Sequence, residues 1–456
     1  MLVALVSMRD PPKRPAFGSS PREFERALVN GLGRALLVLR RDDPAPYRDA
    51  ILRACTHYTG YNWQGESTRI SYLSEVLQAT GDVDSYVEPV LVALRCATKL
   101  EHADQLFGLA QRFARAGRED ARAAMYDKFD RNDTDQEFQG ASELIGLDGC
   151  DGLLHVADRI GDALLSAEVD RNTPRHFVNE ADEEIGEDEV QNALSLAQKS
   201  NPRIRAFVYA ATEEATKHEE RRREPYVSQP DLRGLSYDEA GPLIASSASL
   251  SLSADGRGRW GEDASENDLA RAAADLLTQT DPQVLASYLM LFARRPFPLA
   301  PEPLLPLLPH PTRRVRVAAY TALSQVQHPK VRARALEILA NTAVHGWKRA
   351  RAVDLLDANY EPGDEILFEQ LLRKPRNRWE YHALGTGALD VMKAHPDRSG
   401  VPALLSLYER GACSFCRERV VVLLRELGEA PAWMLDECRY DANLDLRETV
   451  QGWREA

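Results

Sequence analysis

Apolar residues recur along this chain at the spacing of one helical face. Between Thr312 and Val326 the apolar positions are Val315, Ala318, Ala319, Ala322, Leu323 and Val326, with Arg313, Arg314 and Arg316 off that line. A side chain every three or four places returns to the same side of a helix, so this pattern predicts one buried stripe. Leu106, Leu109, Ala110 and Phe113 repeat it, as do Cys416, Val420, Leu423, Leu424 and Leu427. Alternating runs of Val, Ile and Thr, the mark of strands, are nearly absent. The predicted helices are short, on the order of 10 to 16 residues, and the brief connections between them favour antiparallel neighbours.

Helix starts are written into the sequence. Ser20-Pro21-Arg22-Glu23 is a capping box with proline at the first helical position, and Ser265 to Asp268 is an acidic variant of it. Gly117, Gly149 and Gly428 fit helix ends. Asn201-Pro202, Asp281-Pro282, His310-Pro311 and His328-Pro329 each put a turn residue and a proline ahead of an apolar face, and Asp441 opens the last helix. Most of these starts carry an apolar-Arg pair: Ile204-Arg205, Val315-Arg316, Val331-Arg332 and Leu446-Arg447. First-of-pair helices are expected near 282, 312, 346, 378, 414 and 442, with gaps of 30, 34, 32, 36 and 28. A loose period in the low thirties, with two helices per unit, predicts an all-α solenoid, because one pair cannot bury its own apolar face and neighbours must stack.

The stretch Leu304-Leu305-x-Leu307-Leu308-Pro309-His310-Pro311, followed by Val315-Arg316-x-Ala318-Ala319-x-x-Ala322-Leu323, resembles a HEAT repeat. Val331-Arg332 with Ala335-Leu336, and Leu446-Arg447 with Val450, echo it. The resemblance covers roughly residues 280–456, extends to 186–217 in outline, and rests only on helix pairing over 20–165. The spacings are shorter than the usual HEAT unit, so an armadillo-like or mixed variant stays open. The resemblance implies a right-handed superhelix of antiparallel helix pairs that binds partners on its curved surface, and it implies no particular chemistry.

On this reading residues 1–19 are a loose N-terminal arm, 20–167 an N-terminal helical-repeat region and 168–185 an acidic linker. Residues 186–218 are a further repeat, 219–264 an inserted, partly disordered loop, and 265–456 the C-terminal HEAT-like repeats. Glu180, Asp182, Glu183 and Glu184 mark the linker, and the Ser/Ala run with Gly256, Gly258 and Gly261 marks the insertion. Met8 is an alternative start to Met1.

Composition narrows the class. Of 456 residues, 44% are hydrophobic and 28% charged, as in an ordinary folded protein. No run approaches the ~18 uninterrupted apolar residues of a membrane helix. The N-terminus lacks the basic flank of a signal peptide. Six cysteines are too sparse for a disulfide scaffold, so free thiols and a cytoplasmic location are expected.

Charge is uneven. Residues 271–456 hold 25 basic and 23 acidic side chains, whereas 1–270 hold 32 and 47. Basic groups lie beside aromatics at the expected repeat joints: Lys330, Arg334, Trp347, Lys348, Arg349, Arg373, Lys374, Arg376, Arg378 and Trp379. In a solenoid such positions align, and a positive stripe would attract phosphate or an acidic peptide. The opposing reading is that the apolar-Arg pairs are structural and the rest a solvated face.

Candidate chemistry is thin. Gly256-x-Gly258-x-x-Gly261 spells a dinucleotide fingerprint but lacks the βαβ setting, so a glycine-rich linker is expected. Cys413-x-x-Cys416 offers two thiolates to a metal, with Cys438 and a remote His395 as the other conceivable ligands. Small core residues are the expectation there, with no metal and no cofactor. Asp130-x-Asn132-x-Thr134-Asp135 lacks the glycine and glutamate of a calcium loop and reads as a turn. Tyr58 to Arg69 is dense in aromatic and polar groups, which suits either a binding patch or a capped turn. No HExxH, P-loop or GxSxG motif is present. The expected function is a non-enzymatic scaffold for a protein or peptide, the alternative a nucleic-acid binder using the basic stripe within 291–378. An enzyme, as among HEAT-like glycosylases and chromophore lyases, is not expected without a defensible catalytic pair.

Overall fold

The apolar stripes read from sequence are the faces that the tertiary structure hides. Val315, Ala318, Ala319, Ala322, Leu323 and Val326 are all buried, as are Leu106, Leu109, Ala110 and Phe113. The computed structural model describes residues 20–61, 68–166, 173–223, 232–246, 254–344, 346–373, 375 and 377–455. Every regular element among them is a helix, and none of these helices is long and apolar enough to cross a membrane.

Helices begin at Pro282, Arg313, Trp347, Arg378, Ser414 and Leu444. Their caps explain the positions. Asp281 accepts the backbone N–H groups of Gln283 and Val284, His328 that of Lys330, and Asn201 those of Arg203 and Ile204. These donors have no partner inside the helix, and proline beside the cap forfeits nothing there. Ser20 and Glu23 form the reciprocal capping box. Gly428, at φ +71°, closes the helix Ser414–Glu426 in the left-handed region that favours glycine.

The chain divides into two units, Met1–Tyr226 with Pro431–Ala456, and Val227–Ala430. In the first, each helix from Pro21–Val29 to Pro202–Arg223 packs on the next or the next but one. The C-terminal segment joins this unit directly. The Ala442 N–H donates to the Gly31 carbonyl at 2.8 Å, and the Thr68 hydroxyl donates to the Ala442 carbonyl at 2.7 Å. Arg34 grips Glu437, which is fully buried, through two bonds of 2.8 and 3.1 Å, and Arg447 pairs with Glu75. A Cβ at Gly33 would lie 1.9 Å from the Glu437 carbonyl oxygen, so glycine there permits the approach.

In the second unit, Arg313–Ser324 packs on Trp347–Asp354, that helix on Arg378–Ala394, and that in turn on Ser414–Glu426. The intervening Asp364–Arg373 and Val401–Arg410 pack on each other.

Two segments read as interruptions carry helices. Thr173–Glu184 occupies most of the acidic stretch, because Phe177, Val178 and Ala181 supply an apolar stripe beneath its carboxylates. Tyr237–Ala245 and Ala254–Asp263 lie within 219–264. The arm 1–19 lies outside the described residues.

Candidate functional site

The arginines of the apolar-Arg pairs are anchors. Arg316 donates to the carbonyls of His310 and Pro311, both at 2.7 Å. Arg205 reaches the carbonyls of Gln198 and Lys199, Arg447 that of Asp441, and buried Arg417 that of Gly411. Each guanidinium bends back five to seven residues and ties its helix to the turn before it. Arg332 does the same work across neighbours, binding the Asn359 carbonyl and both oxygens of buried Asp364.

The basic residues expected to bind are also mostly engaged. Lys330 pairs with Glu302, Arg334 with Glu337 and Arg373 with Glu369, while Arg349 donates to the Leu339 carbonyl. Arg378 lies over the Trp379 ring at 5.8 Å, and Lys348 is exposed. Lys374 and Arg376 lie outside the described residues. Among the described residues, Lys330, Arg334, Arg349 and Arg373 thus have partners within the fold.

Their helices do bring one series together. Trp347 is the first residue of Trp347–Asp354, Trp379 the second of Arg378–Ala394, and Phe415 the second of Ser414–Glu426. Trp379 and Phe415 are 56% and 46% exposed, an uncommon state for large apolar rings. Trp347 is partly covered, edge-on against Tyr320 and beneath Arg351. The three rings thus stand at matching places on helices that pack in succession. Helix N-termini carry partial positive charge, which reinforces Lys348 and Arg378 there.

The same end holds the most pointed chemistry in the chain. Cys413 caps Ser414–Glu426, Cys416 sits in its first turn, and His382 projects from Arg378–Ala394. The two thiol sulfurs and an imidazole nitrogen lie within 4.8 Å of one another. The Cys416 Sγ is 3.3 Å from His382 Nε2 and 3.7 Å from the Thr386 hydroxyl. Tyr381, Leu389, Leu407 and Val420 wall a small cleft around them, whose cavity of about 20 Å³ has room for about one water. The hydrogen bond from Cys416, with help from His382, pulls the Cys413 thiol well below its ordinary range against its burial. The Cys416 thiol moves upward, because it keeps the shared proton.

Sequence reading did not find His382. The available signal was spacing: His382 precedes Cys416 by 34 residues, close to the gap of 36 expected between the starts of their two helices, which pack on each other. The ligands considered from sequence go elsewhere. Cys438 is buried in the first unit, and His395 bonds the Asp357 carbonyl and stacks on Tyr360.

The other motifs lie as follows. Gly256, Gly258 and Gly261 lie in the helix Ala254–Asp263 rather than in a loop, and a Cβ at Gly261 would meet the Leu291 carbonyl at 1.7 Å. Of the three, Gly261 serves close packing, whereas a Cβ at Gly258 would meet only ordinary contact. Asn132 turns the chain at φ 45° and accepts the Phe138 N–H, closing the interhelix turn after Asp130. Arg69, 3% exposed, donates to the Val29 carbonyl and the Thr59 hydroxyl beneath Tyr58, while residues 62–67 lie outside the described residues. Compared with protein-family models, with curated proteins and with solved structures, the chain finds no match.

Proposed function

We propose that this protein is a helical-repeat scaffold of the HEAT-like kind that binds an acidic segment of a protein partner. The observation that carries the reading is the series Trp347, Trp379 and Phe415 at the leading ends of three successively packed helices. Exposed rings beside Lys348 and Arg378, at helix ends of positive polarity, suit a ligand with both apolar and carboxylate side chains. The repeat spacing and the arginine anchors at the turns support the solenoid reading. Nothing in this site calls for turnover of a substrate, so the reading is a binding protein without enzymatic activity, working in the cytoplasm.

Tagged full-length protein and a Trp379→Ala/Phe415→Ala variant, each incubated with native lysate with and without nuclease, test this. A nuclease-resistant protein partner retained by the wild type and lost from the variant is the expected result. Equal recovery by both chains sinks the assignment to these rings. Recovery that nuclease abolishes favours the nucleic-acid alternative, which further requires salt-sensitive binding weakened by Lys348→Glu and Arg378→Glu. The paired state of Lys330, Arg334 and Arg373 weighs against that alternative.

A further inference from the structure

We infer that Cys413, Cys416 and His382 form a binding site for a soft divalent metal, zinc by preference, with a fourth position open to a water in the adjoining cleft. This goes beyond the scaffold reading and does not depend on it.

The donor set comes first. Two thiolates and an imidazole suit zinc and disfavour magnesium or calcium, which take oxygen ligands. Zinc holds sulfur at about 2.3 Å and nitrogen at about 2.0 Å in a tetrahedron, so its donors stand roughly 3.5 to 4 Å apart. The three donor atoms already lie within 4.8 Å, and the Cys416–His382 pair is at 3.3 Å. Closing on a metal therefore needs side-chain adjustments of an ångström or less.

Electrostatics agrees. Two thiolates plus a divalent ion and a neutral ring sum to zero, and a neutral centre tolerates a cleft walled by Tyr381, Leu389, Leu407 and Val420. Cys413 and Cys416 also occupy the cap and first turn of their helix, where partial positive charge favours thiolate. The contrast is Cys55, where burial pushes the thiol up to about 12 against the pull of the Arg69 charge.

No further His, Cys, Asp or Glu joins the group among the described residues. Three protein ligands and one open position is the arrangement of zinc sites that bind an exogenous ligand, whereas purely structural sites close all four. The Thr386 hydroxyl beside Cys416 would steady that sulfur.

The test uses the full chain, reduced and freed of metal, titrated with cobalt(II) and then zinc. Intense visible bands and a thiolate-to-cobalt transition in the near ultraviolet, displaced by one equivalent of zinc, are expected. Cys413→Ser and Cys416→Ser should each lose the thiolate transition or weaken zinc binding by at least tenfold. His382→Ala should weaken it by tenfold or more, and Cys438→Ser should leave it unchanged. Far-ultraviolet circular dichroism checks that each variant remains helical, and the wild-type spectrum decides the matter even where a variant fails. A reduced wild type that takes up neither metal overturns the site. So does unchanged zinc affinity in the Cys413→Ser/Cys416→Ser double variant, or a chain that forms a Cys413–Cys416 disulfide and binds no metal once reduced.

Discussion

Asn359 shows how much a single side chain can do between helices. Its amide oxygen accepts the His328 N–H, and its nitrogen donates to the carbonyls of Val326 and Leu355. All three backbone groups lie at helix ends, where the internal ladder leaves them unpaired. At 7% exposure, water cannot replace these bonds easily. Asn359→Ala should therefore lower stability by about 2–4 kcal/mol, read by urea unfolding, whereas a typical exposed substitution costs under about 0.5 kcal/mol. Glu143 makes a different prediction. Burial raises its carboxyl from 4.5 to about 8, with the neighbouring Asp104 and Glu180 charges adding to the effect. The folded chain then keeps a proton that the unfolded chain releases above its ordinary value. Bound protons favour the fold at low pH, so this contribution to stability falls as pH rises from about 4.5 towards 8. Glu143→Gln should remove that slope. The side chain lines an open cleft with Glu180 and Glu184, which discounts the effect to on the order of 2 kcal/mol between pH 5 and 8.5. Equal pH slopes in the two proteins would show that Glu143 is solvated.

At the scale of the element, close packing inverts an ordinary rule. Alanine in place of glycine normally stabilises a helix by about 1 kcal/mol. At Gly261 the added methyl would collide with the Leu291 carbonyl, a backbone atom that cannot swing aside. Gly261→Ala should therefore destabilise the second unit, by about 3 kcal/mol or more, as overpacking of a rigid contact does. A thermal midpoint at or above that of the wild type would refute the contact. The arginine anchors act at the same scale. Arg316→Met keeps the aliphatic stem but removes the bonds to the His310 and Pro311 carbonyls. A loss of about 1–3 kcal/mol is expected, since hydrogen bonds from charged donors are the stronger ones. This explains why these arginines recur beside an apolar residue: the apolar neighbour faces the core while the guanidinium secures the turn.

At the scale of the molecule, the last residues belong with the first. Residues 431–456 supply Glu437, Ala442 and Arg447 to contacts with Gly31, Arg34, Thr68 and Glu75. Removing them exposes the face around Gly33 and leaves Arg34 without its buried carboxylate. A chain ending at residue 430 should lose amide-exchange protection in Pro21–Val29, Arg34–Leu39 and Arg69–Ala79. Glu437→Ala alone should cost about 3–5 kcal/mol, because it strands a buried charge. Unaltered protection in the shortened chain would show that the first unit holds together without its C-terminal helices.

The sequence by itself determined the helices and where most of them start. Helix formation is local: caps, prolines at first positions and apolar stripes lie within a few residues of one another, so Asp281, His328 and Ser20 announce their helices unaided. The neighbourhood of His382 and Cys416 it did not reveal, because their contact depends on how two helices pack. Only the tertiary structure decided which charges are spent inside the fold. Whether Arg316 faces a carbonyl or a ligand, or Gly261 a phosphate or Leu291, depends on groups brought near by packing and invisible along the chain. The same holds for the union of residues 431–456 with 31–75, where the partners stand more than 370 residues apart in sequence.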